Sequence, residues 1–203
     1  MKMSNFKKHN PLINAYAQAS PKNLKHVVMM VALSIQQRWD TVGDQMQDYK
    51  ANGVDSRFVW GNKIKTLVWL DDNIDTLYEV VMSAISESKG RKLEIKLMEA
   101  FTRVDGLGLA KAGFCCQLVA GRVGCIDVHN LKRLDIPETA LKLPNKISDK
   151  TRTKKIVYYL DICKPYGCAW LWNTWCQLIA DKYPEKWANV DHVSSAHYDF
   201  LIN

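Results

Sequence analysis

The chain has 203 residues, of which 47% are hydrophobic and 24% charged, and it carries a formal net charge of +7 with a pI near 9.0. That length allows one good core or two small lobes. The composition is ordinary for a folded soluble protein, and the positive balance reads either as solubility charge or as attraction to a polyanion, nucleic acid above all. A bilayer span is excluded, because the longest apolar candidate, Val27 to Leu33, is too short and follows Lys22, Lys25 and His26.

The first residues, MKMSNFKKHNPLI, hold neither an apolar signal core nor a small-residue cleavage site, so a cytoplasmic protein (nuclear in a eukaryote) is expected. The six cysteines then read as thiols, and Cys115 and Cys116, being adjacent, do not easily bridge each other. Residues 1–19 read as a polar, basic arm. Ser20-Pro21 marks a helix start, with serine as N-cap and proline at the first helical position. Leu24, Val27, Val28, Val31 and Ile35 then recur at helical spacing and give that helix one core face. It ends in Gln36-Gln37-Arg38, a solvated end or a pair of amides aimed at a ligand.

Val42 to Tyr49 continues as a short helix, and Gly53 marks a loop. Ile64, Leu67 and Val68 predict a short buried helix within Trp60 to Leu70. Asp71-Asp72-Asn73 is expected to cap a separate amphipathic helix carrying Ile74, Leu77, Tyr78, Val81, Met82 and Ile85. Gly90 breaks it, and Leu93, Leu97, Met98 and Phe101 form the next. After the central stretch come a short basic helix, His129 to Leu134, and a short element between Pro137 and Pro144. The basic run Lys142, Lys146, Lys150, Arg152, Lys154 and Lys155 follows. Ile156 to Ile162 starts a helix, and Gly167 to Tyr183 makes a last one whose Trp170, Trp172 and Trp175 favour core packing over a stacking platform. Long alternating runs are absent, so the expected class is all-α.

The central stretch, VDGLGLAKAGFCCQLVAGRVGCIDVHNLKRL, spans Val104 to Leu134. Gly106 and Gly108 permit a tight bend with close backbone approach, and the following helix start offers unpaired amides to an anion. Ala110 and Ala112 let two helices pack closely. A glycine loop, Gly121 to Gly124, leads to Asp127 at the mouth of another helix, where any aspartate caps the helix and a buried one also does chemistry.

This stretch resembles the helix-hairpin-helix glycosylase superfamily of base-excision DNA repair, which includes endonuclease III, the adenine glycosylase and the 8-oxoguanine glycosylase. VDGLG matches the hairpin, Ala112 the alanine behind it, and Ile126-Asp127-Val128-His129 the catalytic aspartate in its D-x-H setting, closest to the 8-oxoguanine branch. Leu33-Ser34-Ile35-Gln36-Gln37 resembles the family's LSxQ stretch. Two departures stand out. Ala110 occupies the place of the lysine found in strand-cleaving members, with Lys111 one step along, and the loop to Asp127 is about one residue short.

The resemblance implies a two-lobed helical fold with the cleft between the lobes. One lobe would span residues 20–135, and the other residues 136–203 with the arm. It implies a monofunctional DNA glycosylase, a monomer acting on double-stranded DNA away from membranes. Asp127 would stabilise the cationic sugar or activate water, and Lys111 is the residue of an alternative lyase activity. Gly106, Leu107, Gly108, Ala110 and Lys111 would hold the phosphate beside a flipped nucleotide, and Gln36 or Gln37 would fill the vacated stack or read the opposite base. His129, Lys132 and Arg133 would contact the backbone, each of them being otherwise an ordinary surface residue. The hairpin carbonyls would hold a monovalent cation. Cys163, Cys168 and Cys176 do not supply an iron–sulfur cluster. A non-catalytic DNA-binding module and a base-modifying enzyme remain the other readings.

Overall fold

The structure, a computed structural model, describes residues 11–35, 37, 41–144, 146–168 and 170–171. Every regular element among them is helical, which bears out the all-α class. The helices are α1 (Pro11–Gln18), α2 (Pro21–Leu33), α3 (Val42–Asn52), α4 (Asn62–Glu87), α5 (Gly90–Phe101), α6 (Leu109–Ala120), α7 (Val128–Arg133) and α8 (Asp149–Cys163). Short 3-10 turns cover Gly53–Asp55 and Glu138–Leu141. No described helix is long and apolar enough to cross a membrane.

Helix α2 is the centre. Ser20 caps it as expected, its hydroxyl accepting the Asn23 amide at 3.2 Å. One apolar face was expected, but Leu24 and every residue from Val27 to Leu33 are buried, because α1, α3, α4 and α6 pack around it. A helix apolar on all sides is stable only when enclosed in this way. Each such side chain contributes about 1.5–3 kcal/mol on burial.

Two expectations need correction. The arm predicted for residues 1–19 contains α1, with Ile13 and Ala17 fully buried. Its polar residues are used rather than solvated: Asn14 Nδ2 donates to Leu118 O and Gln18 Nε2 to Val119 O, both at 2.6 Å. The helix is in fact rich in apolar residues, with Tyr16 also packed on the core, and the polar, basic residues before it hid that pattern. The predicted break at Asp71-Asp72-Asn73 does not exist, and Asn62–Glu87 is one helix of 26 residues. The core positions Leu67, Leu70, Leu77, Val81 and Ala84 continue in phase through the acidic trio. Asp71 faces out and pairs with Lys25, while Asn73 Nδ2 bonds back to Trp69 O at 2.8 Å. Ile64 and Val68, expected in the core, are exposed. Lys63 and Thr66 take the inward positions instead.

Helix α5 joins α4, α6 and α8. Leu93, Leu97, Met98 and Phe101 are buried in it as expected. Helix α8 starts earlier than the apolar pattern indicated, capped by the Ser148 hydroxyl on the Thr151 amide, so the second half of the basic run belongs to it. Beyond α8, Trp170 is half-buried and stacks on Tyr166 with ring centres 4.7 Å apart. Leu171 is buried. The expectations for Gln36, Trp172, Trp175 and Cys176 lie outside the described residues.

Candidate active site around the hairpin

The bend at Val104–Gly108 is fastened to the first turn of α4. The Thr66 hydroxyl donates to Asp105 O at 2.7 Å, and Leu107 N–H closes the turn on Val104 O at 3.1 Å. Gly106 sits at φ +82, and a Cβ there would lie 2.6 Å from Thr66 Oγ1 and would also meet Asn62 O. Only glycine fits that position. Gly108 differs. Its φ is −88 and a Cβ would meet nothing within 4 Å, so its smallness keeps a backbone face clear rather than relieving a clash. Leu107 and Leu109 are buried and anchor the bend from inside. The first hydrogen bond of α6 is Ala112 N–H to Gly108 O at 2.9 Å, and the amides before it are the donors that a helix start leaves for an anion.

The hairpin forms one wall of a groove of about 930 Å³, shared with Ile126, Val128, Glu138, Thr139 and residues 141–144. Lys65, Arg103, Lys142 and Arg152 also line it. Part of the basic run serves the fold rather than solvent. Arg152 donates to Thr102 O, Lys155 Nζ donates to Ala140 O at 3.0 Å, and Arg103 pairs with Asp149 at 2.9 Å. Lys132, Lys142, Lys146, Lys150 and Lys154 are exposed. The Arg133 guanidinium lies 5.8 Å from the centre of the Trp170 ring.

The loop carrying Asp127 is fixed from three sides. Gly121 ends α6 in the left-handed conformation, and Val123 follows at φ 69, unusual for a branched residue. The buried Tyr159 hydroxyl then bridges the loop, accepting the Ile126 amide and donating to Gly124 O, both at 2.8 Å. Gln117 Oε1 accepts the Cys125 amide at 3.3 Å, and Asn130 Nδ2 donates to Cys125 O at 2.8 Å. Tyr159→Phe removes both hydroxyl bonds and strands a buried donor and a buried acceptor. It is expected to destabilise the fold by about 2–4 kcal/mol in chemical denaturation, whereas Tyr158→Phe, at an exposed position, is neutral.

Asp127 caps α7: its Oδ1 accepts the amides of His129 at 3.1 Å and Asn130 at 2.9 Å. Oδ2 takes part in neither bond. The residue is half-buried and its backbone is extended (φ −77, ψ −178), with Ile126 and Val128 on either side lining the groove. Asp127 itself does not line that groove. Its charge acts on the Cys125 thiol, which burial, and then Asp127, push up to about 12, while Lys111 works the other way. The carboxylate and the lysine thus stand around one thiol. His129 is half-buried.

Lys111 Nζ reaches back to α2, 3.0 Å from Ser34 Oγ, and lies 5.7 Å from the centre of the Phe114 ring. The Ser34 hydroxyl in turn donates to Val31 O at 2.7 Å. Gln37 Oε1 accepts from Gln45 Nε2 at 3.2 Å, so one of the two glutamines considered for reading DNA is engaged by α3. Close to Lys111 lies a second cation that sequence reasoning missed. Lys63 Nζ donates to Phe58 O at 3.2 Å and sits 3.8 Å from the centre of the Trp60 ring. Burial, and then the like charge of Lys111, pull its ammonium down to about 8. One signal for it was available: Lys63 stands three and four residues before Thr66 and Leu67, on the face of α4 that points inward.

The structure therefore brings Ser34, Lys63, Lys111, Cys125 and Asp127 into one neighbourhood, and it places Gly106–Ala110 in the wall of the adjoining groove. Lys132 and Arg133 stand at the end of α7, and neither lines the groove. Comparison with known proteins finds no matching family model, no matching curated protein and no matching solved structure.

Proposed function

We propose that this protein is a DNA glycosylase of the helix-hairpin-helix kind, releasing a damaged or modified base from duplex DNA. One observation carries the reading. The two stretches that resemble the family, Leu33–Gln37 and Val104–Leu134, lie far apart in sequence and meet in space, Lys111 Nζ on Ser34 Oγ at 3.0 Å, beside the thiol that also feels Asp127.

In this reading the groove takes the DNA backbone. A phosphate rests on the first amides of α6, where the open face at Gly108 allows close approach. Exposed lysines add sequence-independent, salt-dependent attraction. The target nucleotide leaves the stack, since its glycosidic bond is out of reach within a duplex. Cleavage of that bond builds positive charge on the sugar, and the Asp127 carboxylate stabilises it or directs a water at it. Asp105 O and Val104 O already accept one bond each and keep a second lone pair, so donors fit for a monovalent cation remain at the hairpin.

The test is a panel of duplexes, each carrying one modified or mismatched base, incubated with the full chain. A free base and an alkali-labile abasic site are expected from at least one of them. Tight binding across the panel with no base released would leave a DNA-binding module and sink the enzyme.

A further inference from the structure

Cys163 and Cys168 stand on either side of the turn that ends α8, and they close on Gly124 from two directions. Cys163 lies one turn after Tyr159, with its Sγ 4.0 Å from Gly124 O, the oxygen that also takes the Tyr159 hydroxyl. The Gly167 amide returns to Cys163 O at 2.9 Å, and Gly167 is left-handed at φ +77. At a helix end of this kind, the residue after the left-handed position comes back against the last turn of the helix. Here the two residues so brought together are both cysteines. From the other side, Cys168 Cα would lie 3.5 Å from a Cβ on Gly124, and Gln117 Nε2 donates to Cys168 O at 3.4 Å. Both thiols are free, and both line one cavity of about 470 Å³. Arg122, Lys164 and Glu94 line it too, together with Arg91, which is paired with Asp161.

We infer that Cys163 and Cys168 are a redox-active pair, oxidised by a small disulfide of the glutathione class, and that their bridge clamps the loop leading to Asp127. Cys168 is half-buried and Cys163 buried, so Cys168 meets the reagent first. Its thiolate attacks one sulfur of the small disulfide, and the other half leaves as a thiolate that takes up a proton. Cys163 then loses its proton to solvent and displaces the second small thiol from Cys168. Two protein thiols lose two electrons, and one small disulfide becomes two thiols. The carboxylates of such a reagent match Arg122 and Lys164. Burial pushes the Cys168 thiol up to about 12, and the Arg122 guanidinium works the other way. The exchange is therefore slow, which suits a response to sustained oxidation rather than rapid turnover. The bridge closes residues 163–168 into a ring beside Gly124. It ties down the segment whose buried Leu171 covers Gly124, Cδ1 standing 2.6 Å from the place of a Cβ there. None of this depends on DNA or on base release.

The experiment incubates the full folded chain with oxidised glutathione, blocks the remaining thiols with one alkylating reagent, then reduces and labels with a second. Peptide fragmentation assigns each label. The expected result is the second label on Cys163 and Cys168 together, a loss of two hydrogens in the intact mass before reduction, and full reversal by dithiothreitol. Cys163→Ala should stop at the intermediate, Cys168 carrying one glutathione, and Cys168→Ser should abolish the reaction at both positions. Arg122→Gln should slow it several-fold. In the bridged chain the amides of Cys125 and Ile126, bonded to Gln117 and Tyr159, should exchange with deuterium several-fold more slowly than in the reduced chain. If a variant fails to fold, the label positions in the unaltered chain decide alone. A bridge to Cys125 or Cys176 instead, a reaction seen only after unfolding in urea, or no bridge at all overturns the inference. A Cys163–Cys168 bridge that leaves the exchange of those two amides unchanged overturns the clamp. Base release is read in a separate assay, so its absence overturns the glycosylase reading and leaves this one standing.

Discussion

Asp127→Asn is expected to lower base release by about a hundredfold to a thousandfold, the range found when one group that stabilises transition-state charge is removed. The fold should hardly change. Asparagine is as good an N-cap as aspartate, so a side-chain oxygen still accepts the amides of His129 and Asn130. Asp127→Ala separates the two roles. It loses the charge and the cap together, and should cost about 0.5–2 kcal/mol of stability in addition to the rate. Single-turnover release on a responsive duplex and a urea titration of all three proteins supply the comparison. Full activity in the asparagine protein would show that residue 127 is a helix cap and nothing more.

Gly113→Ala should have a large effect on both stability and rate although it touches neither DNA nor the reacting groups. In an open helix this change is stabilising by about 1 kcal/mol. Here the added Cβ would lie 2.5 Å from both Gly124 O and the Tyr159 hydroxyl. Neither neighbour gives way easily: one is backbone, and the other is a buried ring already bonded to Gly124 O and the Ile126 amide. Overpacking of this kind costs about 1–3 kcal/mol. The displaced segment leads directly to Asp127, and a shift near 1 Å at a reacting group costs on the order of a hundredfold in rate. Loss of activity with a measurable drop in unfolding midpoint is the expected pair of results. Gly108→Ala is the matching control, because nothing stands within 4 Å of its Cβ. It should leave stability within about 0.5 kcal/mol, and it should weaken duplex binding if a phosphate approaches that backbone. Equal activity in Gly113→Ala and the unaltered chain would mean that the loop does not hold Asp127 in place for chemistry.

Local signals were legible where one turn of chain decides the outcome. Ser20-Pro21 starts α2, Gly106 makes the bend, Gly121 ends α6, and Asp127 opens α7. Each follows from a side-chain cap or a backbone angle within four residues, which is the range over which such effects act. The failures came where a local signal competed with packing. Asp71-Asp72-Asn73 is a good cap in isolation, yet the buried positions before and after it stay in phase, and enclosure of that continuous stripe decides for one long helix. Residues 11–18 form a short segment after a polar, basic stretch, and their helix is held by buried Ile13 and Ala17 and by Asn14 and Gln18, which find carbonyls on α6 about a hundred residues away.

The chain by itself therefore determined the helical class, the hairpin and the carboxylate at the start of α7, because helix periodicity, caps and glycine angles are properties of neighbours in sequence. Only the tertiary structure decided which side chains share the site. Ser34 meets Lys111 across 77 positions, Tyr159 holds the loop at Gly124 and Ile126, and Lys63 is buried against Trp60 near a second ammonium. Burial and the approach of like charges arise when separate helices pack, so the lowered proton affinity of Lys63 belongs to the folded molecule and to no stretch of its sequence.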